Sequence, residues 1–335
     1  MSESYSARVL SPIQIKGPVD PTIVTTIKAA KSQGNVFNVV NQTQFKEQIL
    51  KADTITFDEM SKLILTGVNF PWVAIVAKTF KFSAPRERTT IHIATTELLN
   101  APKGPTIPKL PTPGKRPKAP MCRNAEDGTN GQTGLKGNKG QDGPPVPGLI
   151  VIANKIETQP GAPPIDYIDM RIDILGVDGG DGGLGQAGQD GGDGGDGGNS
   201  DWHSPIDYPT DPGCKCGAGS GGNGGKGGNG GEGGEGGNGS QGGTVWLSGM
   251  PSAIDILEFA KVLNFGGNRG LGGDPGSNGT GGSGGGRGEH RGGCRGGDDG
   301  RGGSPATGLA KKGKDGTAGP RGAIYTWVVD ANTLF

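Results

Sequence analysis

Short apolar runs alternate with polar residues over the first third of the chain. Between residues 52 and 99 they read TITF, KLILTG, WVAIVAKTFKFS and TTIHIA, with turn-forming residues between them. A period of two with β-branched and aromatic residues is typical of half-buried strands. The pattern therefore predicts a β-rich base over residues 36–100, preceded by an extended arm at 1–35. A short helix is predicted over residues 43–51, beginning at Thr43.

Apolar runs return later in the chain as separate pieces. The proline-rich stretch APKGPTIPKLPTPGKRPKAPM comes first, and it predicts an extended connector over residues 101–127. The later apolar runs are GLIVIANKIE, IDYIDMRIDILGV, TVWLSGM, IDILEFAKVLNF and AIYTWVV. We predict that they join the base as two inserts, 148–175 and 244–266, and as a C-terminal strand within 323–335.

Glycine occupies every third position in the stretches between these apolar runs. The five tracts are 128–143, 176–197, 221–242, 267–288 and 313–322, and none of them misses a position. Three is the period of the polyproline II helix, whose backbone groups must find hydrogen-bond partners on neighbouring chains. Two assemblies provide such partners, namely the collagen triple helix and a set of polyglycine II helices packed within one chain.

A second series of glycines distinguishes the two assemblies. Residues 221–237 contain two glycines in each triplet and leave only Asn, Lys or Glu at the third position. A collagen strand needs one glycine per triplet and gains from proline at the others. A helix with neighbours on two sides needs two bare edges, so the second and third tracts, which carry most of two glycine series, are predicted to lie inside. The sequence therefore predicts a mainly β fold with polyproline II structure: a β-helix or sandwich-like base and an intramolecular polyglycine II helix bundle over residues 128–322.

The direction of the tracts predicts where their ends lie. The apolar runs collect at one end, and the polar loops 199–218 and 289–312 collect at the other. All four cysteines fall at the loop end: Cys122, Cys214, Cys216 and Cys294. We predict two disulfides that clamp the loops, because a body without an apolar core gains from loop closure. The pairing stays open. A metal site that combines these thiols with His203 or His290 is the alternative, although Cys-Lys-Cys is not the usual zinc spacing.

Composition excludes several classes of function. The chain has 335 residues, 70 of them glycine and 25 proline, and its formal net charge is zero. The absence of a basic block argues against a nucleic-acid partner. No apolar run is long enough for a cleaved leader or for membrane insertion, so the chain is expected to be cytosolic or to leave the cell by a route that needs no cleaved leader. Of these we favour a cell-surface, extracellular or particle-associated protein without a cleaved signal peptide. Spacing pairs no carboxylates for acid–base work, and we expect neither an enzyme nor a cofactor.

Two groups of side chains are candidates for a functional role, one at the loop end and one along the second tract. Trp202, His203 and Tyr208, with His290, form a possible binding loop. Five aspartates share one edge of the second tract: 178, 181, 190, 193 and 196. Successive residues on that edge are about 9 Å apart, which is too far for one calcium ion to bridge. We expect a hydrated, solubilising edge. The tryptophans outside the loop are expected to pack in the base.

The tracts DGGDGG, NGGKGGNGGEGGEGGNG and GPRG resemble glycine-rich bacterial proteins described as collagen-like. Their arrangement is similar to the polyglycine II bundles of an insect antifreeze protein and of adhesins at phage tail-fibre tips. The resemblance covers about residues 122–322 and implies architecture, without residue roles. We predict a non-enzymatic structural protein that assembles with itself into a surface fibre, sheath or appendage. The alternative is an adhesin whose loops 199–218 and 289–312 bind a glycan or receptor.

Overall fold

The computed structural model describes residues 19–66, 69–83, 89–94, 101–158, 169–210 and 213–335. Its helices are α1 at Pro21–Ala29, α2 at Pro251–Leu257 and a 3-10 helix at Ala331–Leu334. Its strands are β1 Val36–Val39, β2 Gln42–Phe45, β3 Ile49–Phe57, β4 Lys62–Leu65, β5 Trp72–Phe82, β6 Thr89–Ile93, β7 Gly148–Thr158, β8 Met170–Asp173, β9 Asp201–His203, β10 Gly213–Cys216, β11 Val245–Gly249, β12 Lys261–Leu263 and β13 Ile324–Val328.

Two parallel sheets form the base. The six-stranded sheet has the order β1-β3-β5-β7-β11-β13, and the five-stranded sheet has the order β12-β8-β6-β4-β2. Successive strands from β1 to β8 alternate between the two sheets, so that each passage of the chain adds one strand to each. The side chains between the sheets form a continuous apolar core that includes Leu50, Ile55, Phe57, Leu63, Ile75, Ile91 and Leu149. Alternating apolar residues thus place one face of each strand of these two sheets in the core.

The outer face of the six-stranded sheet is covered in part by α1 and the 3-10 helix. Ile27 and Leu334 pack there on Ala74, Val76 and Ile150. Helix α1 begins where the Asp20 carboxylate accepts a hydrogen bond from the Thr22 N–H, with proline at the first helical position. The predicted extended arm therefore contains a helix, and its residues 1–18 lie outside the described residues.

This architecture corrects the predicted fold class. Among the elements assigned in the described residues, most belong to two large parallel sheets with few helices, and neither a β-helix nor a polyproline bundle is evident. The helix predicted over residues 43–51 is also wrong. That segment contains β2 and the start of β3, because Phe45, Ile49 and Leu50 bury their side chains against neighbouring strands rather than along one helical face.

Extended segments without assigned helix or strand make up the glycine-rich part of the chain. We number them by their residues: segment 1 (101–121), segment 2 (123–147), segment 3 (174–200), segment 4 (217–243), segment 5 (264–289) and segment 6 (295–322). Backbone N–H groups at every third residue donate to carbonyls of a neighbouring segment, as Gly228 does to Gln189 at 2.8 Å. These bonds satisfy groups that the segments cannot satisfy internally.

The hydrogen bonds arrange the segments in two layers. Segments 1, 3 and 5 run parallel in one layer, as the bonds from Gly104 to Asp181 and from Gly179 to Asn268 show. Segments 2, 4 and 6 run parallel in the other, and bonds between the layers are antiparallel. Segments 3 and 4 each bond to four neighbours. Their doubled glycine series predicted this interior position.

The layers prolong the sheets. Segments 3 and 5 follow β8 and β12 directly, and segments 2, 4 and 6 lead into β7, β11 and β13. The ladder continues without a break, since the Ile174 N–H donates to Leu263 and the Gly176 N–H donates to Phe265. All described apolar strands therefore lie at one end of the segments, and the chain reversals lie at the far end.

Candidate functional site

The far end is built from three chain reversals that two disulfides connect. The reversals lie at Cys122, at the hairpin formed by β9 and β10, and at residues 290–295. Cys122 is bonded to Cys216 and Cys214 to Cys294, with Cα separations of 5.8 and 5.1 Å. The predicted disulfides are thus present. The metal alternative is wrong, because all four thiols are consumed in disulfides.

Aromatic side chains of the predicted binding loop pack across this end. Trp202 lies against Gly292 in the third reversal, where a Cβ would sit 2.1 Å from the indole Nε1. His203 stacks on Tyr208 with ring centroids 4.0 Å apart. His290 lies in the same reversal as Gly292, and its ring borders Gly296. The structure therefore gathers the four predicted loop residues at one end, two of them as a stacked pair.

Exposure at the far end is concentrated on the hairpin connection. Tyr208 is 50% exposed and Ile206 is 89% exposed, although the residues beside them are held by a disulfide-linked hairpin. A rigid frame that presents an aromatic and an aliphatic side chain to solvent is suited to contact with another surface.

The predicted loop 289–312 is shorter than the sequence indicated. From Asp298 onward the chain already belongs to segment 6, where it accepts bonds from Gly221 and Gly224 at Asp298 and Arg301. The glycine phase then slips by one residue between Gly303 and Gly313. The irregular stretch is held by Asn278, whose side-chain amide donates hydrogen bonds to the carbonyls of Ala306 and Gly308. The interrupted phase concealed segment 6 in the sequence.

The aspartates of segment 3 are exposed or half-buried, and they also form a hydrogen-bonded ladder. Each carboxylate accepts a backbone N–H from segment 5. The donors to Asp178, Asp181, Asp190, Asp193 and Asp196 are Asn268, Leu271, Thr280, Ser283 and Gly286, at 2.6 to 2.9 Å. Asparagines act in the same way on the other layer, as Asn130 does with Lys226 and Asn223 with Arg301. These side chains bond amides at the non-glycine positions.

The proline-rich stretch is a packed segment as well as a connector. Lys109 pairs with Asp190 at 2.6 Å, and Lys115 pairs with Asp196 at 2.8 Å. The side-chain amide of Gln186 donates to the carbonyl of Pro108. Segment 1 thus closes the edge of its layer with charges that match the aspartate ladder.

We expect the ladder to make stability depend on acid pH. The Asp190 carboxylate accepts hydrogen bonds from Lys109 and from the Thr280 N–H. These bonds, and the Lys109 bond most of all, hold the pKa of Asp190 well below its ordinary value. The pKa of Asp196 is lowered by Lys115 and the Gly286 N–H. A carboxyl whose pKa is lower in the folded state contributes stability above its unfolded pKa of about 3.9 and loses it as the pH falls toward the folded value. The melting temperature should therefore decrease when the pH is lowered below about 4.

Asp190→Asn tests this origin, because the amide keeps an acceptor for Thr280 but loses the ion pair. The variant should have a lower melting temperature at pH 7 and a smaller further loss between pH 5 and pH 2. Lys109→Met is the matched control that removes the pair from the other side, and the two substitutions should be less than additive. Equal acid losses in wild type and Asp190→Asn would contradict the assignment.

Two carboxylates of the base, Asp53 and Asp173, lie beside basic side chains. Asp53 pairs with Lys78 at 2.6 Å, and His92 lies 3.9 Å from Asp173, which Arg171 also contacts. Burial and the charge of Lys62 lower the pKa of His92. Within the described ranges, no three His, Cys, Asp or Glu side chains are grouped so that they could hold a metal ion. No helix in those ranges has the length and apolarity to cross a bilayer.

Comparisons with known proteins identify no family for this chain. No family model matches the chain, and no curated protein matches it. Among solved structures, the chain is similar to a springtail antifreeze protein from Granisotoma rainieri, described as a nine polyproline type II helical bundle. The identity is 28%, over 51% of this chain and 98% of that one, with a TM-score of 0.08. This weak likeness carries no argument about fold or function.

Proposed function

We propose that this protein is a non-enzymatic structural subunit that assembles with itself into a fibre, sheath or appendage at a cell or particle surface. The observation that supports the proposal is the open edges of both sheets. Among the described residues, β1 and β2 end the sheets on one side, and β13 and β12 end them on the other. Each of these strands has a strand partner on one side only.

The first edge carries neither of two residue types that commonly block edge pairing. Strands β1 and β2, with sequences VFNV and QTQF, contain neither lysine nor proline. Val36 is 55% exposed and Val40 is 46% exposed beside this edge. Because every strand of a sheet has the same polarity, β1 and β2 of one copy fit the edges at β13 and β12 of another copy in parallel. Such a contact joins two different surfaces, and we infer that successive copies stack along the sheet direction without closing into a ring, which produces a filament.

Asn38→Pro tests the edge. The carbonyls of Asn35 and Val39 accept bonds from β3, so in a parallel ladder the N–H of Asn38 points away from β3. Proline removes that outward donor and leaves the described bonds intact. Wild type should form filaments in negative-stain images, Asn38→Pro should stay monomeric, and the matched control Asn38→Val should form filaments. A wild type that sediments as a monomer at high concentration would overturn the proposal.

A second candidate function is adhesion through the far end, because Tyr208 and Ile206 are exposed on a disulfide-linked frame. The partner would be a surface glycan or receptor. Tyr208→Ser with Ile206→Ser should then abolish binding to the host surface or glycan array that wild type recognises, without affecting filaments. Loss of binding in Asn38→Pro alone would instead point to avidity of the assembled fibre.

A further inference from the structure

We propose that a cleft at the junction of the six-stranded sheet with segments 2 and 4 binds a neutral carbohydrate. The cleft has a volume of about 440 Å³, within the range of about 300–1,000 Å³ that is usual for small-molecule sites. It lies on the outer face of the sheet, at the opposite end of the segments from the disulfides. The site is independent of the proposed self-assembly and of the hairpin at the far end.

Two tryptophans and a glycine form the cleft. Trp72 begins β5 and is opposite Gly148 in β7, while Trp246 lies two residues further along in β11. A Cβ at Gly148 would sit 2.9 Å from the Trp246 ring, so the bare glycine makes room for that indole. One strand separates the two tryptophans, and they are offset by two residues along it, which places their backbones about 12 Å apart. Both side chains are half-buried, and part of each indole remains accessible.

The lining combines aromatic, aliphatic and polar residues and is uncharged. Besides Trp72 and Trp246, the cleft is lined by the polar residues Gln241 and Thr244 and by apolar residues that include Ile23, Pro145 and Val146, and none of its lining residues is Asp, Glu, Lys, Arg or His. Gln241 is exposed and provides both amide donors and an acceptor. A neutral sugar has C–H faces that pack on aromatic rings and hydroxyls that bond to amide and hydroxyl groups. An ionised ligand would find no counter-charge in this cleft.

The aromatic surface continues beyond the cleft. Tyr325 in β13 is paired with Trp246, and their ring centroids are 5.6 Å apart. Trp327 lies two residues further on the same face. Because these rings occupy neighbouring strands, a linear oligosaccharide crossing the sheet meets several aromatic side chains in succession. Three of the four tryptophans of the chain lie on this one face.

The test measures binding of neutral hexasaccharides by calorimetry and by tryptophan fluorescence. The panel is cellohexaose, maltohexaose, mannohexaose, xylohexaose and chitohexaose, with decaproline peptide and sulfated dextran as comparison probes. We expect at least one hexasaccharide to bind wild type and to change its fluorescence, without binding of sulfated dextran. Trp72→Ala and Gln241→Ala should each weaken that binding by about tenfold, the effect of one lost aromatic or polar contact.

Phe259→Ala is the control, because it removes an exposed aromatic side chain that belongs neither to the cleft nor to the far end, and it should leave the affinity unchanged. Gln241→Ala changes an exposed side chain and guards against a general folding defect in Trp72→Ala. Failure of every hexasaccharide to bind at millimolar concentration would overturn the proposal. So would binding that both cleft variants retain, or preferential binding of decaproline, which would make the cleft a peptide site. None of these outcomes depends on filament formation.

Discussion

Gly228→Ala is expected to destabilise the protein by about 3–5 kcal/mol, as overpacking against rigid backbone does at its most severe. Gly228 lies in segment 4, where its N–H donates to Gln189 and its carbonyl accepts from Gly279. A Cβ at this position would lie 1.9 Å from the carbonyl oxygen of Gln132 in segment 2. No side-chain rotation relieves the contact, because the opposing atom is backbone. Segments 2 and 4, which lie side by side in one layer, must move apart and give up hydrogen bonds such as those from Gly131 to Lys226 and from Gly134 to Asn229.

Gly286→Ala provides the matched control in segment 5. The nearest atom to a Cβ there is a carboxylate oxygen of Asp196 at 3.7 Å, an ordinary contact. This variant should be neutral, or stabilise by up to about 1 kcal/mol because alanine reduces the entropy of the unfolded chain. Urea unfolding followed by circular dichroism compares the two. If both variants unfold at the same urea concentration as wild type, the close approach of segments 2 and 4 is refuted.

The sequence pattern predicted positions better than it predicted conformations. The period of three and its second series placed segments 3 and 4 inside, because steric contact with a neighbour is a property of each triplet. The direction of the tracts predicted that the cysteines lie together, because each tract runs between the apolar end and the loop end. The fold class was wrong because alternation specifies that a strand has one buried face and does not specify which strands pair. Helix α1 was missed because Pro21, at the first helical position, was interpreted as a feature of extended chain.

For the candidate sites, the sequence likewise revealed a local spacing but not the residues that the fold brings into contact with it. The ladder of aspartates was visible as a spacing, but its partners lie 90 residues further along the chain, as Asp190 and Thr280 do. Only the register between segments 3 and 5 reveals that they meet. The cleft of Trp72, Gly148 and Trp246 likewise depends on the pairing of β5, β7 and β11. Short-range patterns contain no information about such contacts, so the tryptophans were interpreted as packing residues.

Removal of the disulfides should cause the second large loss of stability. The far end should open locally before the whole protein unfolds. Cys122–Cys216 and Cys214–Cys294 close loops of 94 and 80 residues in sequence separation. Each bond is expected to contribute about 2–4 kcal/mol to the free energy of unfolding, chiefly by restricting the unfolded chain. Replacing all four cysteines by alanine should therefore lower the urea midpoint strongly. Amide exchange should rise first in the hairpin of β9 and β10.

The base should resist this change, because its core of Leu50, Phe57 and Leu149 is buried without help from the far end. Exchange in β3, β5 and β7 should therefore stay slow until global unfolding. Wild type treated with reductant should match the four-alanine variant, and that variant should not respond to reductant. An unchanged midpoint after complete reduction would mean that hydrogen bonds between the layers alone fix the three reversals. The far end would then stay ordered without any covalent connection, and the disulfides would have no role in presenting Tyr208.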